Sequence, residues 1–466
     1  MRTFLCFILI LSFRDLSAQF GPPVIVYDSL KLSVDFELGD VDGDGDIDVV
    51  TGSATDSLLV CFLNNGQGLF MDSVNVSHLP IYDGPGSLIN QLKLMDLDQD
   101  GDLDILQCLV DQGDVNWYMN DGTGHFGPRT SLLTIGSWTL FGDTADLDMD
   151  GLTDITLWTL GQIAWLRNTG SSNFTLVGQP NQFALRNTTA DLDGDGDQDI
   201  AFLKAGTFPD EELLYWIAND GNGGFVTPTL ITVVSYGGTL GHADVDGDGD
   251  EDLLITRCWA SQQGLHVHLN DGSGGFTLGQ SILPSVCLHD MALADLDGDG
   301  DPDLLVHNSM NTLYLPNDNG LFGPGQVVSS FNSPNPSWIT SVAATDVNGD
   351  GLLDVMDSHH AAPGTYVPIQ WYGNFPIIES IGSVMSDAPS IAPNPMEDGS
   401  RLILPRALDS SGGIELIDVN GRVVRSLASN GLREVVIERG LLEVGIYVLR
   451  IVAGNGSSSA LRIVVQ

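Results

Sequence analysis

Seven short aspartate runs begin at Asp40, Asp96, Asp146, Asp191, Asp244, Asp295 and Asp346, at spacings of 56, 50, 45, 53, 51 and 51 residues. Self-similarity at such a period marks a repeat architecture, in which each unit buries its apolar face against its neighbours. The fifth copy shows the internal order most clearly. An apolar approach ends at Asp244 and the acidic loop follows. Apolar strands at 253–257 and 265–269 then lead to the turn Asn270-Asp271-Gly272 and a new strand entered at Phe276. Similar turns recur at Asn64-Asn65-Gly66, Asn120-Asp121-Gly122, Asn168-Thr169-Gly170, Asn219-Asp220-Gly221 and Asn317-Asp318-Asn319-Gly320, with residues that tolerate the positive φ of hairpin positions. Four strands per copy and seven copies predict an all-β fold, a seven-bladed β-propeller over 19–375.

The two ends of the array predict how the ring closes. Phe20-Gly21-Pro22 repeats Phe126-Gly127-Pro128 and Phe322-Gly323-Pro324, which open fourth strands, whereas the seventh copy stops at Asn374-Phe375. Residues 20–27 are therefore expected to supply the outer strand of the seventh blade, which protects edges that a linear array would expose. Trp117, Trp165, Trp216, Tyr314 and Trp371 fall on third strands and read as inter-blade packing, the alternative being a ligand-stacking row.

The loops carry the chemistry. The first position is Asp throughout (Asp40, Asp96, Asp146, Asp191, Asp244, Asp295, Asp346). The third is Asp42, Asp98, Asp148, Asp193, Asp246, Asp297 or Asn348. The fifth is Asp44, Asp100, Asp150, Asp195, Asp248, Asp299 or Asp350, and the ninth Asp48, Asp104, Asp154, Asp199, Asp252, Asp303 or Asp354. Calcium takes six to eight hard oxygen ligands, so side chains at alternate positions of a tight loop can converge on one ion. The seventh position holds Asp46, Asp102, Leu152, Asp197, Asp250, Asp301 or Leu352, a tolerance that fits a backbone carbonyl ligand. Glycine is invariant at position six, as a left-handed turn requires, and position two is always apolar. Up to seven Ca²⁺ ions are expected, one per repeat. The first six positions match an EF-hand loop, but the ninth Asp leads directly into β-rich sequence such as Val49-Val50-Thr51, with no twelfth-position Glu.

The 32 aspartates of these loops are about half of the 62 acidic residues, against 17 basic ones, and a net charge of −45 argues against nucleic acid and anionic membranes as partners. Arg2, the apolar stretch 4–13 and the small residues Ser17 and Ala18 read as a signal peptide over 1–18. No later stretch supplies about 20 unbroken apolar residues, so no transmembrane segment is expected after cleavage. Four cysteines remain after residue 18. Cys258 and Cys287, in consecutive repeats, are one candidate pair, and four free buried thiols are the alternative.

Beyond Phe375 the pattern changes. Residues 376–391 read as a linker and 392–466 as a small C-terminal β-sandwich, with strands at 413–418, 422–427, 434–438, 446–452 and 460–465.

The seven loops together with the Gly-x-Phe strand entries resemble FG-GAP or VCBS-type repeats, the kind found in integrin α-chain propellers. That resemblance implies a loop joining two neighbouring strands of one blade and binding calcium through the positions above. The third copy, with Met149 and Leu152, and the seventh, with Asn348 and Leu352, depart most from the pattern. Pro393-Asn394-Pro395, Gly421-Arg422, Gly445-Ile446-Tyr447 and the ending Arg462-Ile463-Val464-Val465 resemble the type A sorting domain of the type IX secretion system. This second resemblance implies recognition by that machinery, passage across the outer membrane of a Bacteroidetes-like bacterium, and a secreted or surface-attached product. The alternative is an ordinary β-sandwich binding module.

The function expected from these features is a non-catalytic binding or adhesion module for a glycan or protein ligand. The alternative is a secreted polysaccharide lyase or hydrolase; a purely structural module is a third reading. Departures from the repeat available to an enzyme are His359-His360 beside Asp357, Arg257 near Trp259, and His289-Asp290, none of them in a recognisable catalytic motif.

Overall fold

A computed structural model of the chain describes residues 19–375 and 390–465, apart from 32, 54–57, 79–89, 111, 137, 171–172, 179–185, 207–210, 235–236, 259–262, 309, 331–339, 360–365, 393–398, 405–412, 418–421, 429–433, 441, 443–444 and 453–457. The expected signal peptide, Trp259, His360, Pro393-Asn394-Pro395 and Gly421 lie outside the described residues. The chain divides into two compact units at the Phe375–Pro376 boundary.

The first unit is a seven-bladed β-propeller. Among the described residues it contains seven four-stranded antiparallel sheets. Blade 1 runs Ser33–Gly39, Asp48–Ser53, Leu58–Leu63 and Asp72–His78 in spatial order, with its acidic loop between the first and second strands. The first strands form the inner ring: those of blades 3 to 7 abut in succession, the seventh meets that of blade 1, and blade 1 meets blade 2. Second strands are buried on both faces, as in Asp252–Arg257 of blade 5, because each blade is sandwiched between two others. Fourth strands are mostly exposed or half-buried, as in Thr229–Val234 and Thr277–Ile282, where only the last residue is buried.

The ring closes through the N-terminal segment, but not with the boundaries expected. Val24–Lys31, rather than 20–27, is the outer strand of blade 7, pairing antiparallel with Tyr366–Tyr372 so that Val24 faces Trp371 and Lys31 faces Tyr366. Gln19–Phe20 forms a separate two-residue pairing with Asn374–Phe375. The reason is Pro22-Pro23: neither residue has an N–H to donate to a ladder, so the strand restarts at Val24.

The third-strand aromatics pack between blades, as expected. Trp117, Trp165, Trp216, Tyr314 and Trp371 are all at most 7% exposed. Trp371 Nε1 of blade 7 donates to the Gly68 carbonyl of blade 1 at 3.0 Å. A Cβ on Gly68 would lie 2.1 Å from the Trp371 ring, so only glycine permits this approach. Cys258 and Cys287 are disulfide-bonded across blades 5 and 6, and Cys61 and Cys108 are buried free thiols.

The second unit contains two sheets. One orders Ser390–Ala392, Gly399–Ile403 and Glu434–Glu438; the other Val423–Ala428, Gly413–Ile417, Gly445–Val452 and Ser458–Val465. Leu402 and Ile437 of the first share one apolar core with Ile414, Leu416, Leu449 and Ile451 of the second, which makes a small β-sandwich. Sequence reading missed Gly399–Ile403, and Ser390–Ala392 begins inside the stretch read as linker. Among the described residues no helix is long and apolar enough to cross a membrane.

Candidate metal centres

Each acidic loop is built by its own carboxylates. In the first, Asp40 accepts the N–H groups of Gly43 (2.8 Å) and Gly45 (2.9 Å), and Asp44 accepts that of Asp46 (3.0 Å). These bonds fold the chain back on itself. The position-six glycines all have positive φ, between 86° at Gly151 and 101° at Gly300, as the sequence required. Position four is also left-handed in every loop, which sequence reading overlooked although glycine fills it in five copies; Gln99 (φ 63°) and Met149 (φ 54°) take that conformation with a side chain.

The loops gather their acids. Carboxylate oxygens of Asp40, Asp42 and Asp48 lie within 4.8 Å of one another, as do those of Asp96, Asp98 and Asp100, of Asp146, Asp148 and Asp154, and of Asp191, Asp193 and Asp199. Position-seven side chains leave this gathering point. The carboxylates of Asp46, Asp102 and Asp250 lie against the turn glycines Gly66, Gly122 and Gly272 of their own blades, and Leu152 lies against Gly170. That is why Asp and Leu interchange there.

Ninth-position acids are fully buried. Asp48 Oδ2 accepts the Val41 N–H at 3.0 Å and its Oδ1 the Asn64 N–H at 2.8 Å. The same pair of bonds recurs at Asp104, Asp154, Asp199, Asp252, Asp303 and Asp354. Burial still pushes Asp48, Asp154, Asp199, Asp303 and Asp354 up to about 7, with neighbouring loop acids adding to the effect.

A cation fits this donor set. Carboxylate oxygens of the third-position acid are buried without a hydrogen-bond partner in five loops: one each in Asp98, Asp193, Asp246 and Asp297, and both in Asp148. Unpaired buried oxygens on a partly charged group are costly, and a hard cation among converging carboxylates removes the cost. The third loop differs from the others. Arg167, just before its turn, reaches back to form an ion pair with Asp148 and lies 3.9 Å from Asp150. Nothing in the Asp spacing signals this competitor.

Of the residues singled out for catalysis, Asp357, Arg257, His289 and Asp290 are tied into the fold. Asp357 is fully buried and accepts from Thr312 (2.8 Å), Ser329 (2.7 Å) and Gln370 (3.2 Å). Arg257 is buried within the propeller, and His289 Nε2 lies 3.5 Å from Cys287 Sγ. The side chain of His359 lies outside the described residues. Asp290 belongs to the inner ring, where it accepts from Val342 N (3.2 Å) and Thr239 Oγ1 (3.3 Å). There it helps line a cavity of about 390 Å³ with Asp35, Glu37, Lys93 and Ser341. Burial raises Glu37 and Asp290 to about 7, partly offset at Glu37 by Lys93, whose Nζ is 3.6 Å away.

Residues 40–107, 96–157, 146–202, 191–255, 244–306 and 295–356 each match a family model described as FG-GAP-like repeat. Residues 390–466 match one described as a secretion system C-terminal sorting domain. No curated protein matches the chain. Among solved structures, the chain is similar to an Agrocybe aegerita lectin described as specifically recognising non-reducing terminal N-acetylglucosamine, at 25% identity and a TM-score of 0.51, over 64% of this chain and 81% of the lectin. It is also similar to BBS1N, solved in complex with ARL6DN, at 12% identity and a TM-score of 0.48, over 77% of this chain and 97% of that one.

Proposed function

This chain belongs to the FG-GAP-like repeat family, and on that premise we propose that it is a calcium-stabilised, non-catalytic binding module for glycans. Its sorting domain directs it to type IX secretion, as in Bacteroidetes, so it works outside the cell or on its surface. The likeness to a lectin of N-acetylglucosamine termini carries the glycan reading. The loops support calcium through their hard oxygen donors, with positions one, three, five and nine as side-chain ligands and position seven as the carbonyl ligand. Seven bound ions would add 14 positive charges to a chain of net −45 and hold together carboxylates that otherwise repel.

The test is a glycan array probed with the purified full chain in excess calcium, followed by calorimetry on each hit and an assay for new reducing ends. Saturable binding without product release is expected, with terminal N-acetylglucosamine among the first ligands to try. Cleavage of a bound polysaccharide would replace this reading with the enzymatic one, and binding of proteins alone would remove the glycan.

A further inference from the structure

One side chain outside the acidic loops touches two of them at once. The turn residue Asn64 of blade 1 donates its backbone N–H to Asp48, the ninth position of its own loop, at 2.8 Å. Its Nδ2 donates to the Ile47 carbonyl of that loop at 3.0 Å and to the Val347 carbonyl of the blade 7 loop at 2.7 Å. Val347 is the position-two residue, set between Asp346 and Asn348, and its own N–H is held by Asp354 at 3.1 Å. The peptide that aims two side-chain ligands is thus fixed from within by an acid of its loop and from outside by the next blade.

The arrangement repeats around the ring. Asn120 reaches Val41 (2.7 Å), Asn168 reaches Leu97 (3.3 Å), and Asn219 reaches Leu147 (2.8 Å). Asn270 reaches Leu192 (3.0 Å), Asn317 reaches Val245 (2.8 Å), and Asn374 reaches Leu296 (2.6 Å). All seven asparagines are buried. Each latch needs two amide hydrogens at this reach, a demand that aspartate cannot meet and glutamine overshoots.

We propose that the turn asparagine of each blade is a positioning residue for the cation loop of the preceding blade, so that the seven loops take up calcium as a coupled ring. This rests on the calcium reading above and adds a direction to it. Loosening an asparagine disturbs the loop behind it as well as its own.

The experiment compares the full chain with Asn64→Asp and Asn317→Asp by hydrogen exchange and by calcium titration followed with native mass spectrometry. Asn64→Asp should speed exchange about tenfold in 346–354 and leave 244–252 unchanged, while Asn317→Asp should do the reverse. Calcium uptake should be cooperative in the wild type and less so in both variants. Exchange changes confined to the variant's own blade, or spread equally over all loops, would overturn the proposal. If a variant fails to fold, Asn168→Asp, at the longest latch, tests the same direction on 96–104. A wild type that binds no calcium would instead defeat the calcium reading, and the exchange pattern measured without metal would still decide the positioning role.

Discussion

Asn64 Nδ2 and the Val347 carbonyl, 283 residues apart in sequence, meet at 2.7 Å and join the first blade to the seventh. They close the ring on the loop side, beside the Trp371–Gly68 bond, while Val24–Lys31 closes it at the outer edge. Removing the amide leaves a buried carbonyl without its partner, a loss of about 1–3 kcal/mol. Asn64→Ala should therefore lower the unfolding midpoint in denaturant without changing the cooperativity of the transition. A midpoint equal to the wild type would show that the strand pairing and the Trp371–Gly68 bond close the propeller without Asn64.

Chelation should be far more disruptive than any single substitution. Each site filled at a hundred times its dissociation constant contributes about 2.7 kcal/mol, and several sites sum around one ring. In excess EDTA the melting temperature should fall by more than about 10 °C and recover on adding calcium. An unchanged melting curve, with no metal found by mass spectrometry, would eliminate calcium as the stabiliser.

Gly68→Ala should also weaken closure, because the added methyl overlaps the Trp371 ring and displaces Trp371 Nε1 from the Gly68 carbonyl. A loss of about 2–4 kcal/mol is expected, measured by denaturant unfolding, with Gly136→Ala as a control for positive φ in open space. Equal losses in the two variants would assign the effect to backbone conformation rather than to the ring contact.

Much of this architecture is legible in the sequence because it is local and repeated. The Asp spacing, the position-six glycines and the turn asparagines each impose the same backbone constraint seven times over, so comparison of copies separates required residues from tolerated ones. The strand restart at Val24 is also legible, since Pro22-Pro23 cannot join a ladder, although the repeat pattern alone places the strand too early. What the sequence does not disclose are the partners of side chains across blades. Asn64 shows its turn role in sequence but not its bond to Val347, because that depends on ring closure. Asp35 and Asp290 lie 255 positions apart and line one cavity only because blades 1 and 6 both face the axis.

That inner cavity predicts a pH dependence. Glu37 and Asp290 have folded pKa values raised to about 7 by burial, against 4.5 and 3.8 for the free groups. Native protein therefore binds more protons than unfolded protein between those values, so their contribution is complete below the unfolded pKa and is lost as pH rises towards 7. Asp35, also raised, adds to the trend, while Lys93 opposes it at Glu37. In saturating calcium, the melting temperature should fall more steeply from pH 5.5 to 7.5 in the wild type than in Glu37→Gln or Asp290→Asn. Parallel profiles would mean that these carboxyls stay ionised throughout.

The third loop should be the weakest cation site, for a reason its neighbours do not share. Arg167 places a guanidinium on Asp148, the third-position ligand, and near Asp150, the fifth, so an incoming divalent cation must displace or tolerate a fixed positive charge. The blade's own turn asparagine also holds this loop most loosely, with Asn168 Nδ2 3.4 Å from the Thr153 carbonyl, the longest of the seven equivalent bonds. Met149 adds a left-handed side chain where five other loops carry glycine. Arg167→Met keeps the apolar stem and removes the charge, and should tighten the weakest site about tenfold, equivalent to about 1.4 kcal/mol. Calcium titration followed by native mass spectrometry reads this directly as a last ion bound at lower concentration. An unchanged final affinity would show that Arg167 swings into solvent when calcium arrives, which its half-exposed side chain permits.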